Sequence, residues 1–214
     1  VPFRSLRLLA AIGTAAAGGA PVSALAHHPM GGAVPATLWQ GFASGLGHPV
    51  IGLDHLAFVI AAGVLAAGAE RRVGVLALAA FVAASVAGSV LHLAGIGLGP
   101  VEALVALTTL AAGAVLLLVC PPVRGVPLMA TFGVAGLLHG NAYAEAAIGA
   151  GPGPVGAYLV GLAVMQSALA FAAMAIARRL EAAHGHGAWL PRRAAGSAAA
   201  VVGGVAMLLA VLSA

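Results

Sequence analysis

Lysine is absent from the 214 residues, cysteine occurs once, and charged side chains of every kind make up only 7%. A soluble globular domain carries charge on about a quarter of its residues, so a water-facing surface cannot be built from this composition. With 62% hydrophobic residues and a mean hydropathy of +1.11, the chain reads as an integral membrane protein. The single Cys120 excludes a disulfide framework and a thiolate metal cluster, and reads as a small buried hydrophobe. The net charge of +4 comes from nine arginines against five acids. These arginines fall in short clusters between apolar runs rather than along one face, which excludes a nucleic-acid-binding surface. No P-loop is present, so ATP hydrolysis is not expected to supply energy.

Glycine is abundant, at 31 residues, roughly twice the usual ~7%, and with the many alanines it lets transmembrane helices approach closely. Apolar runs recur at the length that spans a bilayer, about 20 residues. The expected fold class is therefore an all-α integral membrane protein with six transmembrane helices after an N-terminal signal peptide. The signal peptide is read over 1–26 from Arg4, Arg7, the apolar run from Leu8 and the small-residue pattern Ala24-Leu25-Ala26. An outer-side tail and an interfacial or re-entrant lead-in follow over 27–48. The six-helix domain covers 49–214, with spans expected at 49–69, 73–94, 101–119, 126–148, 155–177 and 194–212. The turns between them are rich in helix stoppers, such as Pro121-Pro122 and Gly151-Pro152-Gly153-Pro154. Arg71, Arg72, Arg124, Arg178, Arg179, Arg192 and Arg193 all fall in alternate loops. Because basic residues are retained on the cytoplasmic side, both mature termini are expected on the periplasmic side of a bacterial inner membrane.

Threading the spans places His48, Asp54 and His55 at the outer end of the first, His92 at the outer end of the second, Glu102 at the start of the third and Glu145 near the outer end of the fourth. His139 lies about ten residues from Gly149, or ~15 Å, near the middle of a ~30 Å core. An acid such as Asp54 beside an uncharged run needs a partner. In a straight helix His48 and His55 would lie about 20° apart in direction but roughly 10.5 Å apart along the axis. Pro49 is expected to push His48 out of helical geometry so that it folds over the helix mouth. Imidazoles with a carboxylate suit nickel, cobalt or zinc, whereas copper(I) prefers sulfur ligands and the five methionines are scattered. After signal cleavage, His27 with His28 would offer a metal-collecting tail, and His184 with His186 a solvated turn or a release point. His92 and Glu102 read equally well as interfacial side chains.

At these residues the chain resembles the HupE/UreJ family of nickel and cobalt permeases, associated with hydrogenase and urease maturation. The family carries His, five residues, Asp, His at the start of its first helix, matched here by His48, Asp54 and His55. Its fourth-helix motif, Phe-His-Gly-x-Ala-His-Gly-x-Glu, is matched in part by Leu138-His139-Gly140-Asn141-Ala142-Tyr143-Ala144-Glu145. His139, Gly140 and Ala142 carry over, Tyr143 stands where the second histidine would be, and the acid comes one position early. This resembles a divergent subgroup. The resemblance implies a permease without catalysis or prosthetic group, whose cargo is Ni²⁺ or Co²⁺ and whose surroundings are the lipid bilayer, and a homo-oligomer is compatible with it. An internal echo pairs Gly45-Leu46-Gly47-His48 and Asp54 with Gly136-Leu137-Leu138-His139 and Glu145, three helices apart, as inverted transporter repeats do. Three alternatives stay open: a membrane haem electron-transfer protein with His92 and His139 as axial ligands, a metallohydrolase activating water beside Glu145 or Asp54, and a non-transporting scaffold for metalloenzyme maturation.

Overall fold

Helix formation starts earlier than the apolar pattern suggests. Thr37 accepts from the Gln40 backbone N–H at 3.2 Å, while the Gln40 side chain accepts from the Thr37 backbone N–H at 3.2 Å, a reciprocal capping box that opens α1 (Leu38–Ile51). The computed structural model describes residues 33–118, 125–184 and 189–213. The signal-peptide reading of 1–26, the tail histidines His27 and His28, Cys120, Arg124 and His186 lie outside those residues. After α1 come α2 (Leu53–Ala67), α3 (Arg71–Leu93), α4 (Val101–Leu118) and α5 (Val126–Tyr143) with a 3₁₀ turn (Ala144–Ala147). The helices α6 (Pro152–His184) and α7 (Trp189–Leu212) complete the fold, and no strand occurs among the described residues.

The first expected span differs from what is found. Pro49 sits inside α1 rather than ahead of the helix, and the break comes at Gly52, whose backbone is extended (φ −73°, ψ 99°). Proline at 49 has no N–H to return to the preceding turn, and Gly52 three residues later has no side chain to hold the helix together. The axis bends by 77° there, so α1 and α2 form a broken span or a re-entrant loop. Four helices, α3, α4, α6 and α7, are long and apolar enough to cross a membrane, or five elements when the bent pair counts as one. The six expected spans are not all met by that measure: α5 carries His139, Asn141 and Tyr143 and falls short in apolarity.

Polarity runs inside out relative to a soluble protein. Val160, Val201, Leu208 and Val211 face outward, whereas Ser85, Ser89, Thr109, His139, Asn141 and Gln166 are fully buried. This is the arrangement of a bundle solvated by lipid. The helix α2 runs through the centre, buried almost continuously from Val59 to Ala67, and around it the tightest pairs are α1 with α6, α3 with α5 and α4 with α7. Small residues make those pairs close. A Cβ on Gly45 would strike the Tyr158 carbonyl, and one on Gly140 would strike the Ser85 carbonyl. The α3–α4 turn closes with a Schellman motif, Ile96 N–H to Leu91 carbonyl and Gly95 N–H to His92 carbonyl, both 2.9 Å, which needs the left-handed Gly95 (φ +86°). At the opposite end Arg178 caps α2 through the Ala66 and Ala69 carbonyls, at 3.3 and 3.0 Å. Arginines and histidines thus occupy opposite ends of α2, whose 15 residues span about 22 Å.

Candidate functional site: a buried histidine cluster

The bend at Gly52 does the work that the sequence assigns to Pro49. It turns the start of α2 back against the end of α1, so the His48 and His55 rings meet edge to face with centroids 5.9 Å apart. From α5, His139 approaches His55 at 4.9 Å between centroids, and Tyr143 stacks on His55 at 4.1 Å and meets the edge of His48 at 5.0 Å. Phe58 and Phe81 close the far side of His139 at 4.4 and 5.9 Å. All three imidazoles are almost wholly enclosed, with exposures of 2% for His48, 4% for His55 and 0% for His139. His139 therefore shares a layer with His55 instead of lying on a separate step below it.

Hydrogen bonds fix which nitrogen of each ring carries the proton. The Thr108 hydroxyl donates to the Val105 carbonyl at 2.8 Å. With its proton committed there, it accepts from His139 Nε2 at 3.0 Å. His139 Nδ1 is then the bare nitrogen, and it accepts from His55 Nδ1 across 2.8 Å. His55 in turn keeps its basic lone pair on Nε2. A second chain runs through α6: the Tyr158 hydroxyl donates to the Tyr143 carbonyl at 2.6 Å, so it accepts from His48 Nδ1 at 2.8 Å. His48 likewise carries its lone pair on Nε2. Both imidazoles are held in the form metal-ligating histidines adopt, with one ring N–H tied to an outer partner that sets tautomer and orientation.

The remaining sequence candidates distribute unevenly. Asp54 is half-buried in the first turn of α2, where one carboxylate oxygen accepts from the His55 backbone N–H at 2.8 Å and the negative charge complements the helix N-terminus. The Thr109 hydroxyl contacts the Asp54 carbonyl at 3.2 Å. His92 is not in the cluster: its Nδ1 lies 3.1 Å from Asn141 Oδ1, and Asn141 also takes the Leu98 N–H at 3.2 Å and donates to the Ile96 carbonyl at 3.1 Å. That clamp pins the α3–α4 turn to α5. Glu102 and Glu145 are exposed at the same end of the bundle. Among the described residues no three His, Cys, Asp or Glu side chains converge closely enough to hold an ion by themselves. Both His139 nitrogens have hydrogen-bond partners within the protein, His55 Nδ1 and the Thr108 hydroxyl.

Sequence reading passed over Thr108, Tyr158, Asn141 and Gln166. Each is a polar side chain inside an otherwise apolar run, the signal that singles out intramembrane function. Among the described residues three buried polar atoms have no hydrogen-bond partner: the Tyr143 hydroxyl, Gln166 Oε1 and Arg178 Nε.

An apolar exterior, a broken first span and interior imidazoles fixed in one tautomer define a polytopic helical membrane protein with a buried histidine centre. The chain belongs to the HupE/UreJ family: residues 15–207 match the family described as HupE / UreJ protein. That family is associated with nickel and cobalt transport or accessory function and is not known for catalysis. No curated protein matches the chain significantly, and no solved structure does.

Proposed function

We propose that the protein moves Ni²⁺ or Co²⁺ across the bacterial inner membrane, capturing the ion from the periplasmic side with His48, Asp54 and His55. The observation that carries the reading is the meeting of His48 and His55 at the bend at Gly52, their ring centroids 5.9 Å apart, with Asp54 next to His55 in the first turn of α2. Two imidazoles and a carboxylate suit these borderline ions and leave part of the hydration shell in place. Asp54, anionic and half-buried, offsets the ion's charge where water is scarce. Glu102 and Glu145, exposed at the same end, raise the local cation concentration before capture, and His92 keeps the turn above the entrance closed on α5. In this reading His139 is a positioning residue that directs the His55 lone pair, and the tail beginning at His27 collects ions ahead of the site.

A divalent ion entering a compartment at −100 mV gains about 4.6 kcal/mol, twice the ~2.3 per charge, enough to drive accumulation without ATP. The arginine-rich end is the cytoplasmic one in this scheme. Cysteines introduced at Gly97 and Gly151 should label from outside in intact cells, and one at Glu70 should not; the reverse pattern would make the protein an exporter. Calorimetry with Ni²⁺ and Co²⁺ alongside radiotracer uptake in proteoliposomes tests the site. Asp54→Asn and His55→Ala should each weaken binding and slow uptake. Wild-type behaviour in both variants would sink the assignment, and tight binding without any uptake in the unmodified protein would favour a non-transporting accessory role.

A further inference from the structure

The helices α6 and α7 follow one another in the chain but are not close neighbours. Small residues draw α6 against α1 and α7 against α4, which leaves a gap between them on the outside of the bundle. The gap is a groove of about 390 Å³, lined by Ile60 and Val64 of α2, Ala172 and Ile176 of α6, and Pro191 and Ala194 of α7. It opens a window onto the central helix: Val59, Ala61 and Ala62 are 0% exposed, whereas Ile60 among them is 38% exposed. Every lining side chain is a hydrocarbon. None of them can bond to a polar ligand, so whatever lies in the groove is itself apolar along its length.

Charge enters only at one mouth. The helices α2 and α6 run toward the arginine end and α7 runs away from it, which places Val64, Ala177 and Pro191 at that mouth. Arg179 follows Ala172 by seven residues and Ile176 by three, so it continues the α6 wall of the groove on the same helical face. Its stem leans toward the helix N-terminus, back along that wall. Across the mouth, Arg192 directly follows Pro191 and precedes the lining residue Ala195 by one turn, and its guanidinium also reaches the Leu116 carbonyl of α4 at 3.5 Å. Arg178 and Arg193 add positive charge at this end, and Glu181 is the one acid between positions 169 and 195.

We propose that the groove binds an anionic phospholipid from the leaflet on the arginine side, with one acyl chain between α6 and α7 against Ile60 and Val64 and the phosphate at Arg179 and Arg192. The inference stands apart from the transport reading. A hydrocarbon trough with a basic mouth complements an amphiphile with an apolar chain and a negative head, and basic pockets between transmembrane helices take such headgroups. Guanidinium groups suit phosphate oxygens because they donate in pairs. A second copy of this chain, packed in the same orientation, would instead bring arginines against arginines at the mouth. The acyl chain covers the side of α2 that α6 and α7 leave open, so the lipid supports the helix that begins with Asp54 and His55.

Native mass spectrometry of the detergent-purified full chain, titrated with dioleoylphosphatidylglycerol or with the zwitterionic dioleoylphosphatidylcholine, tests this. The wild-type protein should retain one equivalent of the phosphatidylglycerol about tenfold more tightly than the phosphatidylcholine. Ala172 and Ala194 are exposed on opposite walls, so Ala172→Phe and Ala194→Phe add bulk to the groove without touching the core, and each should lose the retained equivalent. Arg179→Gln should lower the preference for the anionic lipid, whereas Arg72→Gln, at the same end but on α3 and outside the groove, should leave it within twofold. Equal retention of the two lipids, or undiminished retention in both phenylalanine variants as a general lipid annulus would produce, overturns the site. A wild-type dimer that either phenylalanine variant converts to monomer assigns the groove to a second copy and overturns it as well.

Discussion

Replacing Tyr158 by phenylalanine removes one oxygen and leaves the packing of the ring in place. That oxygen holds two bonds, donating to the Tyr143 carbonyl at 2.6 Å and accepting from His48 Nδ1 at 2.8 Å. Without it the His48 N–H loses its acceptor in a site where the ring is 2% exposed, at a cost of about 1–3 kcal/mol. The imidazole can then recover by moving its proton to Nε2, which blocks the nitrogen meant for the ion. Loss of such an outer partner typically weakens metal binding 10- to 100-fold, or ~1.4–2.8 kcal/mol, in agreement with the hydrogen-bond figure. Ni²⁺ calorimetry on the purified full chain should show that loss in Tyr158→Phe. The same substitution made on a His48→Ala background should have no further effect, because the coupled partner is already gone. An equal loss in both backgrounds, or an affinity within twofold of wild type, would refute the tautomer assignment.

Thr108→Val keeps shape but takes the acceptor from His139 Nε2, two bonds away from His55; Ni²⁺ affinity should fall about tenfold, and Thr108→Ser should restore it. Acidification should act on the same chain. The 2.8 Å contact between two Nδ1 atoms needs one bare nitrogen, so protonating the pair should break it, and a pH series of Ni²⁺ calorimetry showing no weakening at any acidity at which the protein stays folded would contradict the geometry. Gly45→Ala drives a Cβ into the Tyr158 carbonyl and should destabilise the α1–α6 pair by ~1–3 kcal/mol. Gly97→Ala, with nothing within 4 Å, should be neutral in the same thermal unfolding assay in detergent.

Composition alone determined that the chain belongs in a bilayer, since 7% charge cannot solvate a surface in water. The apolar runs placed α3, α4, α6 and α7 well, because a helix of bilayer length needs no tertiary partner to be recognised. The His48, Asp54 and His55 spacing marked the stretch that contains the bend and two of the clustered imidazoles. Two things were hidden. The start of α1 lay in a weakly apolar segment, where Thr37 and Gln40 are a legible cap but hydropathy is not decisive. Where the first span would break was ambiguous, because proline and glycine within four residues can each end a helix, and packing of α1 along α6 kept Pro49 helical and left Gly52 to bend. Local signals are carried by neighbours in the chain, so sequence determined the membrane class, most helices and the family motif. The meeting of His139 with His55, of Tyr158 with His48 and of Gln166 with Ser85 joins residues 84, 110 and 81 positions apart. Only the folded bundle could decide those pairings, because a ring's proton and lone pair are set by the groups that surround it in space.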